Sequence, residues 1–415
     1  MSTITRDFHP LAVTNLAFWA RSADDREAVF KQLRDEAPVS WQPPMQGGIM
    51  PSDEQGMWVV TRHEHITEVS MHPELFCSGQ GVQFEDLPED LLEASQSFLA
   101  MDDPRHRQLR RLVSSAFTPK QVARIDDQTA SQARRVVDGL IEAREGDFVD
   151  LVSRRLPMWT VYEMLGLDPA LREEAAHMAD EMVSFNDDDV AAGREPGEVI
   201  NDSLVRLLTI GLEFADQRRR NPADDLMTNL VQAEIEGQRL TDDEIAAFFV
   251  LLSVAGNDTT RNTISLSTHA LQQHPDQKAW LLEDFDGRIP TATEEFIRWA
   301  SPVMTFRRTA TQDTELGGQK ISKGEWVAMI YSSGNRDERI FDAPHRFDLS
   351  RPKNPHVGFG GGGPHFCMGN FVAKMQMRHL FGELLTRVPG LRVGEPEPLI
   401  GNFVRAVKRM PCTTG

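Results

Sequence analysis

Residues 359–369 read Phe359-Gly360-Gly361-Gly362-Gly363-Pro364-His365-Phe366-Cys367-Met368-Gly369, a glycine-rich loop running into one cysteine. After it, Met368, Phe371, Val372 and Met375 recur at helical spacing, so Cys367 stands at the start of a helix. A thiolate there faces free backbone N–H groups and the positive end of a helix dipole, which are expected to lower its pKa. The glycines let the backbone pass close to a flat, bulky ligand without side-chain clashes. A cysteine held this way suits an axial ligand to haem iron, because a thiolate pushes electron density onto the metal and favours O–O cleavage.

The rest of the composition narrows the alternatives. The chain has 415 residues, and its three cysteines, Cys77, Cys367 and Cys412, form no CxxC pair. The histidines show no metal-ligand clustering, and His63-Glu64-His65 lacks the HExxH spacing of a zinc protease. So few cysteines fit a reducing cytoplasm, with Cys77 and Cys412 as structural thiols. Met1 to Pro10 is polar and carries no signal-peptide apolar region. Nowhere does an apolar run reach the ~18 residues of a membrane span. A cytoplasmic location without a transmembrane segment is therefore expected. The net charge of −19 favours solubility and argues against broad nucleic-acid binding. No linker, repeat or low-complexity segment interrupts 1–415, so one large domain with no fused reductase is expected.

The pattern of elements is mainly α with small β-sheets. Met57 to Thr61 and Glu325 to Tyr331 read as strands, Lys323-Gly324 as a turn, and Thr61-Arg62-His63-Glu64 as a helix start. From about 105 to 300 the chain reads as mostly helical, without the βαβ alternation of a doubly wound fold. One helix is expected from Thr241 to about His274, capped by Thr241 and Glu244 and ended by Pro275. At ~1.5 Å per residue it is about 50 Å long. Its apolar centre, Phe248 to Leu252 and then Val254-Ala255, leads straight into Gly256-Asn257-Asp258-Thr259-Thr260. Polar groups in a buried helix are costly unless they bond or hold water. Gly256 is expected to let the helix open locally into a groove.

Three further patterns accompany the cysteine loop. Glu295-Phe296-Ile297-Arg298 sets an acid and a base on one helix turn. Asp103-Pro104-Arg105-His106 is followed by Arg110, one turn beyond His106. A turn-rich stretch with Asn335-Arg336-Asp337, Phe341, Pro344, Phe347-Asp348 and Arg351 precedes the loop. The match of Gly358, Gly360 and Gly363 to GxGxxG lacks a βαβ unit, so a dinucleotide site is rejected.

Together these motifs resemble a bacterial cytochrome P-450, a haem-thiolate monooxygenase, over nearly the whole chain and in the family's order. Phe359 lies eight residues before Cys367, one more than in the commonest form of the family signature, and the loop carries one extra glycine. It is similar to the loop of an actinobacterial subgroup that oxidises sterol side chains and branched lipids. The resemblance implies haem b as cofactor, with Cys367 as proximal iron ligand and Phe359 packed near its sulfur. His365, His106, Arg110 and Arg308 are then expected on the haem propionates, Arg307 competing with Arg308. Glu295 and Arg298 are expected to form a buried structural network with Arg339 or a neighbouring arginine.

The same resemblance gives Asp258 and Thr259 the catalytic roles. Dioxygen activation consumes two protons, which an acid next to a threonine hydroxyl can relay from solvent. Ala255 and Gly256 are expected against the cofactor. Val254, Ala255, Val303 and Phe306 are expected against an apolar substrate. The implied reaction is terminal-methyl hydroxylation of a branched-chain lipid, isoprenoid or sterol side chain. Electrons would come from NAD(P)H through ferredoxin reductase and ferredoxin, with Lys374 and Arg378 in a basic docking face. Two alternatives stand beside this reading. A peroxygenase of the same fold would tend to lack the acid–threonine pair, and a non-catalytic haem sensor would need an output domain.

Overall fold

The computed structural model describes residues 6–47, 55–85, 98–114, 117, 122–185, 187–235 and 237–415. The larger sheet has five strands, β1 (Val39–Gln42), β2 (Met57–Val60), β3 (Phe76–Cys77), β4 (Thr305–Ala310) and β5 (Trp326–Ile330), in the order β1-β2-β5-β4-β3. All its pairings are antiparallel except β2 with β5. Both β2 and β5 are buried along their whole length, which is why MWVV and WVAMI are apolar without alternation. The expected turn at Lys323-Gly324 precedes β5, and Gly324 takes a φ of +88°.

The helices that frame the site are α1 (His63–Met71), α2 (Arg105–Ser114), α3 (Asp126–Ala143), α4 (Arg155–Leu165), α5 (Pro169–Ser184), α6 (Pro196–Arg220), α7 (Asp242–Gln273), α8 (Phe285–Ala300) and α9 (Asn370–Arg387). Among the described residues no helix is long and apolar enough to cross a membrane. The long helix α7 has the expected capping box. The Thr241 hydroxyl accepts from Glu244 N at 3.1 Å, and the Glu244 carboxylate accepts from Thr241 N at 2.9 Å. Its 32 residues make it about 48 Å long.

Two apolar cores meet along α7. Ile245, Phe248, Phe249 and Val250 of its first half pack with α4, α5 and α6. Ile264, Ala270 and Leu271 of its second half pack with α3, α8 and α9. Each of these large side chains contributes about 1.5–3 kcal/mol by leaving water. The stretch 254–260 lies between the two cores, so the helix is anchored on both sides of its polar segment.

On α8, Glu295 and Arg298 are fully buried and bidentate, both contacts at 2.7 Å. The second arginine of this network is Arg351, at 3.3 Å from Glu295. Arg339 lies elsewhere and pairs with Asp337 and Asp35. Arg298 also donates to the carbonyls of Asn335 and Pro344 at 2.8 and 2.9 Å, tying α8 to the turn-rich stretch before the cysteine loop.

Candidate active site

The cysteine loop folds back onto α1. Cys367 N donates to the Phe359 carbonyl at 3.0 Å, which closes the loop across its glycines. Gly360, Gly362 and Gly363 all have positive φ. A Cβ on Gly363 would stand 2.1 Å from the Ser70 carbonyl oxygen, and one on Gly361 2.5 Å from the Ser70 hydroxyl. Glycine is therefore required both for conformation and for contact. Helix α9 starts at Asn370, with Gly369 as its N-cap, so the cysteine stands just before the helix as expected. Its thiol behaves differently from the expectation. Burial pushes the Cys367 pKa up, and this outweighs the lowering by Gly369 N–H, Arg110 and Lys374. Phe359 packs edge-on to Phe366, and Lys374 Nζ lies 5.3 Å from the Phe359 ring centre.

Arginine and histidine side chains gather beside this loop. The rings of His106 and His365 lie 4.2 Å apart. Arg110 donates to the Phe366 carbonyl. Burial, then Arg308, His106 and Arg110, hold His365 down at about 2, and burial and Arg110 lower His106. Arg308 is buried, and its pKa is lowered by that burial. Arg307 points the other way, since neighbours on a strand face opposite sides. It lies over the Trp326 ring and donates to the Gln80 carbonyl at 2.9 Å. The two competing arginines both border the cavity but hold different partners. His106 Nε2 is buried without a hydrogen-bond partner. Two guanidiniums beside two imidazoles that burial keeps neutral, one with an unused ring nitrogen, fit an anionic ligand.

Across the cavity, α7 is unbroken through Gly256, and no local opening occurs there. Gly256 serves close packing instead, because a Cβ would stand 2.3 Å from Val161 Cγ2 of α4. The Thr259 hydroxyl donates back to the Ala255 carbonyl at 2.9 Å. Asp258 is 1% exposed and forms an ion pair with Arg261. That contact lacks hydrogen-bond direction, so neither Asp258 carboxyl oxygen accepts a hydrogen bond. Burial pushes Asp258 up to about 7, opposed by Arg261 and reinforced by Asp180 of α5. Such a group holds or releases a proton near neutral pH.

Cys367, Phe359, His365, Arg110, Arg308, Gly256, Asp258 and Thr259 line one cavity of about 420 Å³, together with Val254, Ala255, Val303 and Phe306, while His106 stands just behind its wall against His365. Its walls are mostly apolar, and Phe306 stacks edge-on with Tyr331 and Phe403. The structure thus brings the expected residues together. Lys374 and Arg378 lie apart from the cavity, and each is already ion-paired, with Glu294 and Asp126 respectively. Two carboxyls had no sequence signal. Asp180 shares Arg261 with Asp258 from another helix, and Glu85 is buried on the cavity wall with Asn402 at 2.6 Å. Burial raises the Glu85 pKa.

Comparisons with known proteins agree on one family. The family model for cytochrome P-450 matches residues 194–388. A methyl-branched lipid omega-hydroxylase of Mycobacterium tuberculosis is 40% identical over 404 residues, covering 96% of this chain and 93% of the relative. A steroid C26-monooxygenase of Mycolicibacterium smegmatis is 37% identical over 383 residues, covering 91% and 88%. The structure of a Mycobacterium marinum cytochrome P-450 in complex with pseudoionone superposes with a TM-score of 0.96, at 52% identity and 99% coverage of both chains.

Proposed function

The chain belongs to the cytochrome P-450 family and is a haem-dependent monooxygenase; from that premise we propose that it hydroxylates a terminal methyl of a branched-chain lipid, isoprenoid or sterol side chain. The observation that carries this reading is the apolar cavity that joins Cys367 on one side to Asp258 and Thr259 on the other. Support for the substrate class comes from the relatives named for methyl-branched lipids and steroids.

The residues fit haem b. Cys367 would hold the iron, with Phe359 beside its sulfur and Ala255 and Gly256 against the ring. His106, Arg110, Arg308 and His365 would hold the two propionates, whose negative charge answers the buried cations and the free His106 Nε2. When bound, haem supplies the metal centre at which dioxygen is cleaved, one atom going to substrate and the other to water. The protein's own part is to position the substrate and deliver protons. Val254, Val303 and Phe306 exclude water and set an apolar chain against the reacting position. Asp258 takes a proton from the solvent side and passes it towards the Thr259 hydroxyl. Thr259 must leave the Ala255 carbonyl to present that proton to the cavity. Electrons come from NAD(P)H through ferredoxin reductase and ferredoxin, in the cytoplasm. Because Lys374 and Arg378 are ion-paired, docking of an acidic partner there must compete with Glu294 and Asp126.

A Soret titration of the ferric protein tests the substrate class. Methyl-branched fatty acids, isoprenoids and cholest-4-en-3-one are expected to drive the haem to high spin, and straight-chain controls less so. A thiolate-type spectrum with no response to any branched member overturns the substrate reading and leaves the enzyme class intact.

A further inference from the structure

Asp180 and Asp258 face the same guanidinium from two helices. Arg261 Nη1 contacts Asp180 Oδ1 at 2.8 Å, and its Nη2 contacts Asp258. Asn257 fixes the same Asp180 oxygen at 3.1 Å. The two carboxyls thus meet at one arginine, and Asp180 acts on Asp258 as a neighbouring like group that raises its pKa. Asp180 has 22% of its side chain exposed, whereas Asp258 is sealed at 1%. The remaining charge nearby is already divided. Arg154 reaches Asp180 Oδ2 only at 4.0 Å and is shared with Asp150 and Glu173. From α4, Tyr162 faces the pair as a buried phenol whose pKa is raised by burial. Two carboxylates against the one guanidinium that both contact leave a surplus negative charge in a buried place, and a proton cancels it.

We propose that Asp180 is a positioning residue for the proton supply: with Asp258 and Arg261 it forms a pair of carboxyls that holds one proton between solvent and Thr259. Water supplies the proton to the exposed side at Asp180. It passes to Asp258, leaving Asp180 ionised and again paired with Arg261. When Asp258 gives the proton up, the pair returns to two carboxylates and takes another from water. Arg261 stays charged throughout and acts as the clamp. Helix α5, which carries Asp180, also lines the cavity through Met182 and Val183, so the proton store and the substrate wall are parts of one element.

The inference rests on the monooxygenase reading but not on the substrate class, so the first readout is spectroscopic and needs no substrate. Infrared difference spectra of the haem-loaded protein across pH follow the carbonyl stretch of a protonated carboxyl, and Asp258→Asn identifies the Asp258 band. Replacing Asp180 with Asn removes the like charge and is expected to lower the midpoint of that band by about one pH unit. Asp180→Glu is expected to restore it. With any substrate that is turned over, Asp180→Asn should also enlarge the solvent isotope effect and raise the share of reducing equivalents lost as peroxide several-fold. A midpoint unmoved by Asp180→Asn overturns the proposal, as does a failure of Asp180→Glu to restore it. Should Asp180→Asn not fold, Asp180→Ser serves in its place, with the same fall of the midpoint expected, and an unmoved midpoint again overturns the proposal.

Discussion

Helices α7 and α8 each bury an aspartate or glutamate three residues before an arginine, and the two pairs behave as opposites. On α8, Glu295 accepts five hydrogen bonds, two from Arg298 and one each from Asp348 N, Arg351 and Asn354. Two arginines meet one carboxylate, and every oxygen lone pair has work. On α7, Asp258 meets Arg261 without accepting a hydrogen bond, and a second carboxylate, Asp180, takes the same arginine from outside. The spacing is the same and the burial is the same. The difference lies in the count of charges around each pair. A saturated pair is a fixed strut, whereas an acid-rich pair keeps a place for a proton.

The contrast breaks most visibly at the strut. Arg298→Ala removes the bidentate partner of buried Glu295 and is expected to cost about 3–5 kcal/mol. Denaturant unfolding checks this, and an unchanged midpoint would remove the structural role of the network. Asp258→Asn is the corresponding change on α7. It should leave the protein folded but lower product formation by about 100-fold, in line with the loss of a general acid. Steady-state rates alongside a melting curve separate the two effects.

The pH dependence of stability sharpens the same comparison. Asp258 sits at about 7 when folded and near 3.8 in its ordinary state. Between those values the folded protein holds a proton that the unfolded chain has released. Stability therefore falls as pH rises through that window and levels off above it. Melting temperatures of the wild type and Asp258→Asn across the window should differ in slope, with the variant flatter. A parallel slope would show that Asp258 is ionised throughout. The smallest effect is expected at Thr259→Ala, which removes only a hydroxyl. Melting should hardly move, while peroxide formed per NAD(P)H consumed rises several-fold. Unchanged coupling would take Thr259 out of proton delivery.

Much of this was legible because it is local. The capping box at Thr241, the polar break after Ala255 and the Glu295–Arg298 turn are each written within a few residues, where backbone geometry does the positioning. The cysteine loop was legible because its glycines answer to one cramped path over Ser70. What escaped the sequence depends on distance along the chain. Nothing in α5 marks Asp180 as the partner of Asp258, and Arg351 rather than Arg339 completes the strut because of how the turn-rich stretch folds back. Gly256 could be singled out without alignment, but its service to Val161 rather than to an opened helix required the neighbouring α4. The Cys367 thiol departs from expectation for the same reason. The helix dipole is visible in sequence, whereas the burial that outweighs it is not.

The seat of Gly361 and Gly363 against Ser70 bears on how this loop can be moved between proteins. Because those two positions press on the backbone and hydroxyl of the last turn of α1, the lengthened loop and that turn form one interchangeable part. A chimera that receives residues 357–369 alone keeps the glycines but not the turn they seat on, and one that receives 63–71 with them keeps both. Recombination experiments among relatives with the shorter loop should therefore draw their crossover points so that the two segments, far apart in the gene, travel together.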